Sequence, residues 1–313
     1  MSTKEFVIFG TRHLGDTLVL SELIYNIKLA YEDSKVCLVV YPQWEYIAKL
    51  MNNIDKIVVL DKRGKHKGIT GTLKLKEEIG YKDIYASIIP FRRQRHIWIS
   101  IALGSKYILF NDINFFFDRF IRHSKYKITT NPKLHITTDT AGLLKGITEH
   151  EIVHIPIKLN KSNVIKKSFD INLTECVAIN PIGDGDYKDL PLENLIDLIS
   201  FFNKKSQKII LLGKGGKAQN YAEALRQNNI PFIDFVNKTS IEDLTSLLCD
   251  IKCLLTVDTG TAHLATYLGT KTLWLTYQNN IWAADSIYKN SDWVSKNESS
   301  EVIYKKMTDL ISV

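Results

Sequence analysis

The alternation of short apolar runs with longer amphipathic stretches constrains the fold of this chain more than any other feature. In the first half, the apolar runs predict strands at residues 5–10, 35–41, 56–61, 84–90 and 107–110. The stretches between them predict helices at residues 16–31, 44–51, 73–80 and 93–103. Strands that are apolar along their whole length and separated by helices are typical of parallel sheets covered on both faces.

The second half repeats this pattern. Its predicted strands are 176–181, 208–213, 232–235, 253–258 and 271–276, and its predicted helices are 192–203, 218–227, 241–250, 261–268 and 300–312. We therefore predict an α/β protein with two doubly wound, Rossmann-like domains. Their expected limits are residues 1–160 and 176–295, joined by a polar, lysine-rich linker at 161–175 and followed by a C-terminal helix at 296–313.

Composition narrows the class of protein and of partner. The 313 residues carry a formal net charge of +7, which predicts a negatively charged partner such as nucleic acid, an anionic membrane or a phosphorylated substrate. No run approaches the ~18–20 apolar residues of a membrane-spanning helix, and the N-terminal apolar run is too short for a signal peptide, so we expect a cytoplasmic location. The cysteines are expected to be buried free thiols; they are Cys37, Cys176, Cys249 and Cys253.

The most informative motif is the sequence Thr-Val-Asp-Thr-Gly-Thr-Ala-His-Leu-Ala, in which an apolar strand ends at Asp258 and a helix begins near Thr261. The first turn of such a helix offers unpaired N–H groups and a positive dipole end to a phosphate. Gly260 allows close approach to the backbone, and Thr259 adds a hydroxyl donor. A second interpretation stays open from the spacing alone, in which Asp258 caps the helix and His263 packs in the core.

A second motif joins a buried strand to a helix through a loop that contains Gly183 and Gly185. Lys188 follows in the same loop, where its ammonium group would neutralise a departing diphosphate. For a single lysine taken alone, an exposed loop position is the more frequent outcome. The sequence therefore leaves both interpretations of Lys188 open.

The loop after the first strand contains His13, Gly15 and Asp16 and opens the first helix. It has neither the glycine pattern of a dinucleotide-binding loop nor a Walker lysine. The carboxylate of Asp16 therefore has two interpretations, as a helix cap or as the general base that deprotonates an acceptor hydroxyl.

Basic residues form two further clusters. Arg92, Arg93 and Arg95 follow the fourth predicted strand, and arginine side chains suit phosphate or carboxylate groups. The second cluster, within residues 115–127, places basic residues next to three phenylalanines. It would suit a membrane surface, but we favour a solvated face over a core stripe.

Taken together, these motifs resemble glycosyltransferase family 9, the ADP-heptose:lipopolysaccharide heptosyltransferases. The sequence Asp-Thr-Gly-Thr-Ala-His-Leu-Ala at residues 258–265 matches the family motif D-T-G-x-x-H-L-x, and the loop at Gly15 and Asp16 is similar to the family's N-terminal signature. The resemblance extends from Phe6 to about Thr276. It implies a GT-B fold, in which two Rossmann-like domains face a central cleft and bind the acceptor and the nucleotide sugar, respectively.

The resemblance also implies roles for individual residues. Asp16 would be the catalytic base of an inverting transfer without a metal, and Lys188 would stabilise the leaving group. The residues expected to bind the donor, with ADP-heptose as the leading candidate, are Gly183, Lys188, Thr239, Asp258, Thr259, Gly260, Thr261 and His263. The residues expected to bind the acceptor are His13, Arg92 and Arg95.

The implied partners are a nucleotide sugar and an anionic glycan or glycolipid acceptor. Peripheral contact with the cytoplasmic face of the inner membrane is left open. No cofactor is implied beyond the nucleotide-sugar substrate. A nucleic-acid partner is not expected, because neither a recognition helix nor an aromatic RNA-binding motif is present.

The sequence departs from the family pattern in one place. After the strand that ends at Gly213, relatives often carry an acid that binds ribose hydroxyls, whereas here residues 214–217 are Lys-Gly-Gly-Lys. The side chain of Lys217 cannot accept a hydrogen bond, and the loop at 183–186 is unusually acidic. A different nucleotide sugar, a nucleotide-dependent epimerase or oxidoreductase, and a non-enzymatic sugar-nucleotide or membrane-binding module therefore remain alternatives.

Overall fold

A computed structural model of the protein describes residues 3–91, 94–111, 126–128, 136–276 and 287–313. The chain divides into two compact units, Met1–Ile157 and Lys158–Val313. Residues 161–175, which we predicted as a linker, lie within the second unit, where the N–H of Lys167 donates to the hydroxyl of Ser246 at 2.9 Å. None of the helices in the described ranges is long and apolar enough to cross a membrane.

The first unit contains a six-stranded sheet in the order β3-β2-β1-β4-β5-β6, with parallel pairing throughout. Its strands are β1 Glu5–Gly10, β2 Lys35–Val40, β3 Lys56–Val59, β4 Ile84–Ile89, β5 Tyr107–Asn111 and β6 Tyr126–Ile128. Its helices are α1 Leu14–Leu18, α2 Leu20–Ala30, α3 Glu45–Leu50, α4 Gly68–Ile79, α5 Gln94–Leu103 and α6 Ile136–Ala141. The order reverses between β1 and β4, so the loop after β1 lies at the point where ligands bind in open α/β sheets.

The second unit repeats this topology, with the strand order β12-β11-β10-β7-β8-β9. Its strands are β7 Cys176–Asn180, β8 Lys208–Leu211, β9 Ile233–Asp234, β10 Cys253–Val257, β11 Thr272–Thr276 and β12 Ser291–Ser295. Its helices are α7 Leu192–Lys204, α8 Gly216–Gln227, α9 Ile241–Asp250, α10 Gly260–Tyr267 and α11 Ser300–Ser312. Here the order reverses between β7 and β10, which lead into the loops that carry Lys188 and Asp258.

Burial explains why the predicted strands form sheets. All residues of β7, β10 and β11 are buried, as expected for strands covered by helices on both faces.

All four cysteines are free, and Cys37, Cys176 and Cys253 are buried, which confirms the prediction for those three; Cys249 is only partly buried. Burial raises the pKa of the Cys37 and Cys253 thiols to about 12, so both remain protonated and unreactive.

The structure corrects two predicted helices of the first unit. The helix predicted at 16–31 begins at Leu14, where the side chain of Asp16 caps the N–H of His13 from within the first turn, and it is divided into α1 and α2 at Val19. The helix predicted at 73–80 begins earlier, at Gly68, and includes Gly71, which packs so closely on the backbone of His66 that a side chain would collide. Glycine acts there as a packing residue, although it is usually read as a helix breaker.

Candidate functional site

The turn between β10 and α10 is held by Thr259. Its extended backbone makes it the N-cap of α10, and its hydroxyl accepts the N–H of Ala262 at 3.4 Å. The same hydroxyl contacts the side chains of Asn180, at 3.4 Å, and Thr256, at 3.3 Å. The interpretation of Asp258 as the helix cap is therefore wrong, because Thr259 provides this contact and leaves the carboxylate of Asp258 for another partner.

That partner is Lys188. Its Nζ lies 2.7 Å from Oδ2 of Asp258, and both side chains are partly buried. Burial alone disfavours a charged lysine, but the hydrogen bond and negative charge of Asp258 outweigh it and raise the pKa of Lys188. The expectation of an exposed loop lysine is wrong, since the pair fixes an ammonium group beside the start of α10.

The backbone around Lys188 is packed closely. A Cβ atom at Gly183 would lie 2.6 Å from the Cβ of Lys188, so only glycine fits there without displacing the lysine. The N–H of Gly183 donates to Oδ1 of Asp189 at 2.6 Å, and the N–H of Lys188 donates to the carbonyl of Gly185 at 2.9 Å. The turn at residues 183–189, which we call the lysine loop, is thus closed by its own hydrogen bonds.

Two other lysines hold the lysine loop from outside. Lys217 forms ion pairs with Asp186, at 2.6 Å, and with Asp189. The hydrogen bonds that Lys217 donates to these carboxylates raise the pKa of Lys217, and the one to Asp186 lowers the pKa of Asp186. The ammonium group of Lys296, which is 2% exposed, donates to the carbonyls of Tyr187 at 2.8 Å and Asp189 at 2.6 Å. The negative charges of Asp186 and Asp189 in this loop are therefore paired with Lys217, the residue that departs from the family pattern.

His263 lies in the second turn of α10 and is 9% exposed. Its ring packs edge-on against Trp274 at 5.0 Å, and its Nδ1 lies 3.3 Å from the hydroxyl of Tyr267. These contacts fix the imidazole against the core at the same end of the sheet as Lys188. A role for His263 in donor binding stays a prediction.

The remaining predicted donor residues lie on two loops of the second unit. Gly260 and Thr261 form the first turn of α10, where their N–H groups precede the first intrahelical hydrogen bonds. Thr239 immediately precedes Ser240, which caps α9 through a reciprocal contact with Asp243. Thr239 is partly buried and lies after β9, at the carboxyl edge of the sheet.

In the first unit, Asp16 lies in the first turn of α1, directly after the loop that follows β1. Its Oδ2 accepts the N–H of His13 at 3.4 Å and lies 3.4 Å from Nε of Arg12. The indole N–H of Trp44 donates to the carbonyl of Arg12 at 2.8 Å, and the Arg12 guanidinium lies 5.4 Å from the ring of Phe91. The carboxylate is thus held beside a cation on a loop anchored from two sides.

The predicted acceptor residues have different surroundings. His13 is exposed next to Asp16. Arg95 donates hydrogen bonds to the carbonyls of Lys62, at 3.5 Å, and His66, so its guanidinium supports the loop between β3 and α4. Arg92 lies outside the described residues, and so does the phenylalanine-rich part of the second basic cluster.

Sequence reasoning missed Arg12, Asp189 and Lys296. Arg12 stands in the opening motif, and its spacing of four residues from Asp16 was an available signal for an ion pair. Lys296 gave no such signal, because it lies 107 residues from Asp189 along the chain.

Among the residues that the structure describes, no group of three or more His, Cys, Asp or Glu is arranged to hold a metal ion.

Comparison with known proteins identifies the family. The model of glycosyltransferase family 9 (heptosyltransferase) matches residues 120–305, which is more than half of the chain. A search of curated proteins found no match.

Solved structures show the same fold at low sequence identity. A family 9 glycosyl transferase from Veillonella parvula is 17% identical, with a TM-score of 0.77 over 100% of this chain and 98% of that one. The E. coli heptosyltransferase WaaC with ADP is 14% identical, with a TM-score of 0.73 over 98% and 99%. E. coli ADP-heptose lps heptosyltransferase II is 11% identical, with a TM-score of 0.69 over 98% of each chain. The two parallel sheets with their alternating helices are GT-B-like, and the chain belongs to glycosyltransferase family 9.

Proposed function

We propose that this chain is an inverting glycosyltransferase that moves heptose from ADP-heptose onto a lipopolysaccharide core or another bacterial surface glycan. Membership of family 9 supports glycosyl transfer. The similarity to a WaaC structure with ADP, and to an enzyme named for ADP-heptose, supports this donor. The observation that carries the proposal is the pairing of Lys188 with Asp258 beside the start of α10.

The donor half of this proposal follows from charge. The nucleoside diphosphate leaves with additional negative charge, which an ammonium group and the N-terminal amides of a helix stabilise. Lys188 would exchange Asp258 for the diphosphate when the donor binds. The carboxylate of Asp258 would then be available to accept hydrogen bonds from the hydroxyls of the donor sugar. Because Lys188 and α10 supply the positive charge, we propose that transfer proceeds without a metal ion.

The acceptor half depends on Asp16. We propose that its carboxylate takes the proton of an acceptor hydroxyl while that oxygen attacks the anomeric carbon from the face opposite the nucleotide. The bond between the anomeric carbon and the phosphate oxygen breaks, and the nucleoside diphosphate leaves with the electron pair. His13, Arg92 and Arg95 would bind the carboxylate or phosphate groups of an anionic acceptor. We further propose that the enzyme works in the cytoplasm, at the inner membrane that holds a glycolipid acceptor.

A second candidate is the same transfer from a different nucleotide sugar. The observation that favours it is the engagement of Lys217 with Asp186 and Asp189, because a lysine at this position cannot accept hydrogen bonds from ribose hydroxyls. The chemistry proposed for Asp16 and Lys188 is the same for both donors.

The donor is tested by thermal unfolding of the purified protein with a panel of ligands in the presence of EDTA. We expect selective stabilisation by ADP-heptose, about 2.7 kcal/mol at a ligand concentration of 100 Kd. Selective stabilisation by another nucleotide sugar would establish the second candidate. A response only to NAD would contradict both and favour an oxidoreductase or epimerase.

The base is tested with Asp16→Asn, using Asp33→Asn in an exposed turn of the same unit as the matched control. We expect Asp16→Asn to lower kcat about 10²–10⁴-fold, while the Kd for the donor stays unchanged. The control should retain the kcat of the parent enzyme. Near-normal turnover of Asp16→Asn would refute the assignment of the base.

A further inference from the structure

Two neighbouring helices of the first unit carry large apolar side chains on their outer faces. On α4, Ile69 is 84% exposed and Leu73 is 55% exposed. On α5, Trp98 is 56% exposed and Ile101 is 42% exposed. We call the surface formed by these four residues the α4–α5 face. Single exposed apolar residues are common on protein surfaces, whereas a group of four on two adjacent helices indicates an interaction site.

The two helices lie side by side. The ammonium group of Lys76, on α4, donates to the carbonyl of Ala102, on α5, at 3.2 Å. Leu73 precedes Lys76 by about one turn, and Trp98 precedes Ala102 by about one turn, so these two apolar side chains lie at the same level of the helix pair. Arg95 joins the other end of α5 to the loop before α4.

The inner faces of the same helices pack in the core of the first unit. On α4 the buried positions are Gly71, Leu75 and Ile79. On α5 they include Ile97 and Leu103. The apolar residues of the α4–α5 face are therefore additional to the set that the sheet requires.

Positive charge is concentrated in α4 and in the loop before it, next to Ile69 and Leu73 along the chain. Residues 62–79 contain six lysines and arginines but only two acidic residues, and one of these, Glu78, is paired with Lys65 and His66. The loop that carries most of this charge has a fixed shape, because the carboxylate of Asp61 accepts the backbone N–H groups of Arg63, at 3.2 Å, and of the two residues that follow. Its basic side chains are thus presented on a defined backbone.

We propose that the α4–α5 face docks on a lipid bilayer with anionic headgroups. Apolar side chains with a basic rim match the acyl boundary and the charged headgroups of such a surface. Trp98 is the residue type enriched at membrane interfaces. A protein partner fits less well, since lysine is depleted from protein–protein interfaces. The proposal would bring the enzyme to a glycolipid acceptor, but it does not require the proposed glycosyl transfer.

The first test is flotation of the full chain with vesicles, without donor or acceptor. We expect binding to equimolar phosphatidylglycerol and phosphatidylcholine, and little binding to pure phosphatidylcholine. Trp98→Ser should weaken the binding at least about fivefold, the change that corresponds to ~1 kcal/mol. The matched control is Trp293→Ser on β12, since Trp293 is also an exposed tryptophan, at 43%, and its loss should leave binding unchanged. Equal effects of the two variants would overturn the proposal.

Charge provides a second test. Arg63→Glu combined with Lys67→Glu should weaken binding by more than tenfold, since each basic residue near an anionic surface changes binding about fivefold. The control is Lys204→Glu combined with Lys305→Glu, which makes the same change of charge on exposed positions of the second unit. Binding that depends on net charge alone would respond equally to both pairs and would overturn the proposal.

Tryptophan fluorescence distinguishes insertion of Trp98 into the bilayer from electrostatic attraction of the protein to the bilayer surface. Brominated lipids quench tryptophan fluorescence only at short range, and Trp98→Phe keeps the apolar face while it removes the reporter. We expect Trp98→Phe to retain vesicle binding and to lose the quenched component, whereas Trp293→Phe should keep it. If Leu73→Ser changed the oligomeric state in light scattering and left vesicle binding intact, the face would instead be an interface between copies of this chain, and the proposal would be wrong.

Discussion

Replacing Lys296 with methionine tests whether a buried lysine holds the loop that carries Lys188. The Lys296 ammonium donates to the carbonyl oxygens of Tyr187 and Asp189, the two neighbours of Lys188 in the chain. Methionine keeps the length and apolar character of the stem but removes the charge and, with it, the hydrogen bonds to these two carbonyls. Lys188 itself and its partner Asp258 are not altered.

The magnitude follows from the contacts. A hydrogen bond that involves a charged group contributes about 1.5–3 kcal/mol, and a buried carbonyl left without a donor costs about 1–3 kcal/mol. Methionine also relieves the cost of burying an ammonium group, which is several kcal/mol. We therefore expect Lys296→Met to lower the free energy of unfolding by about 2–3 kcal/mol, which for a unit of this size corresponds to a Tm lower by about 4–12 °C.

Stability and positioning are measured separately. Thermal unfolding gives the Tm, and calorimetry with ADP well below that Tm gives the Kd, which we expect to rise about tenfold, or ~1.4 kcal/mol. The matched control is Lys208→Met, because Lys208 pairs with Glu175 on the surface of the same unit and both side chains are more than half exposed. Its Tm and Kd should not change measurably. A Lys296→Met protein with the Tm and Kd of the parent would refute the reasoning, and a lower Tm with an unchanged Kd would limit Lys296 to a structural role.

Two further predictions concern ion pairs of the second unit. Lys217→Ala should raise the KM for the donor because Asp189 loses its cation, and Lys217→Arg should restore it; a KM unchanged in Lys217→Ala would contradict a positioning role. Burial disfavours the charge of Asp234, but hydrogen bonds from Lys238 and the nearby charge of Arg226 hold its pKa below the usual 3.8. Its stabilising contribution is therefore present above pH 3.8 and is lost as pH falls through the lower folded pKa. Asp234→Asn should lower the Tm at neutral pH, and this difference should shrink as the pH falls below 3.8; a pH-independent difference in Tm would contradict the assignment.

The fold was predictable where burial alone determines the pattern. Strands such as β7 and β10 are apolar at nearly every position, and both lie where the sequence predicts them. Strand β12, with the sequence Ser-Asp-Trp-Val-Ser, was missed because an edge strand has one neighbour and tolerates polar residues. Its existence depends on pairing with β11, in which Thr272 is opposite Ser291, and a local pattern does not contain that contact.

The candidate site was also only partly predictable from the sequence. The sequence identifies Asp258, Lys188 and Asp16 by residue type and by position after a strand. It does not show which charge each of them contacts, since Lys188 and Asp258 are 70 residues apart in the chain. The sequence left open whether Asp258 caps α10, because both Asp258 and Thr259 are favourable cap residues and only the backbone conformation decides between them.

Lys188 and Asp16, the two charged residues that we propose act at the breaking and forming bonds, are each paired with an opposite charge. Lys188 faces Asp258, at 2.7 Å, and Asp16 faces Arg12, at 3.4 Å. A diphosphate must therefore compete with Asp258 for Lys188, and an anionic acceptor can draw Arg12 away from Asp16. Loss of that ion pair would leave Oδ2 of Asp16, which otherwise lies 3.4 Å from Nε of Arg12, open to the proton of the acceptor hydroxyl. In this scheme acceptor binding itself removes the competing partner of the proposed base, and an enzyme without an acceptor keeps the Asp16 carboxylate paired with Arg12.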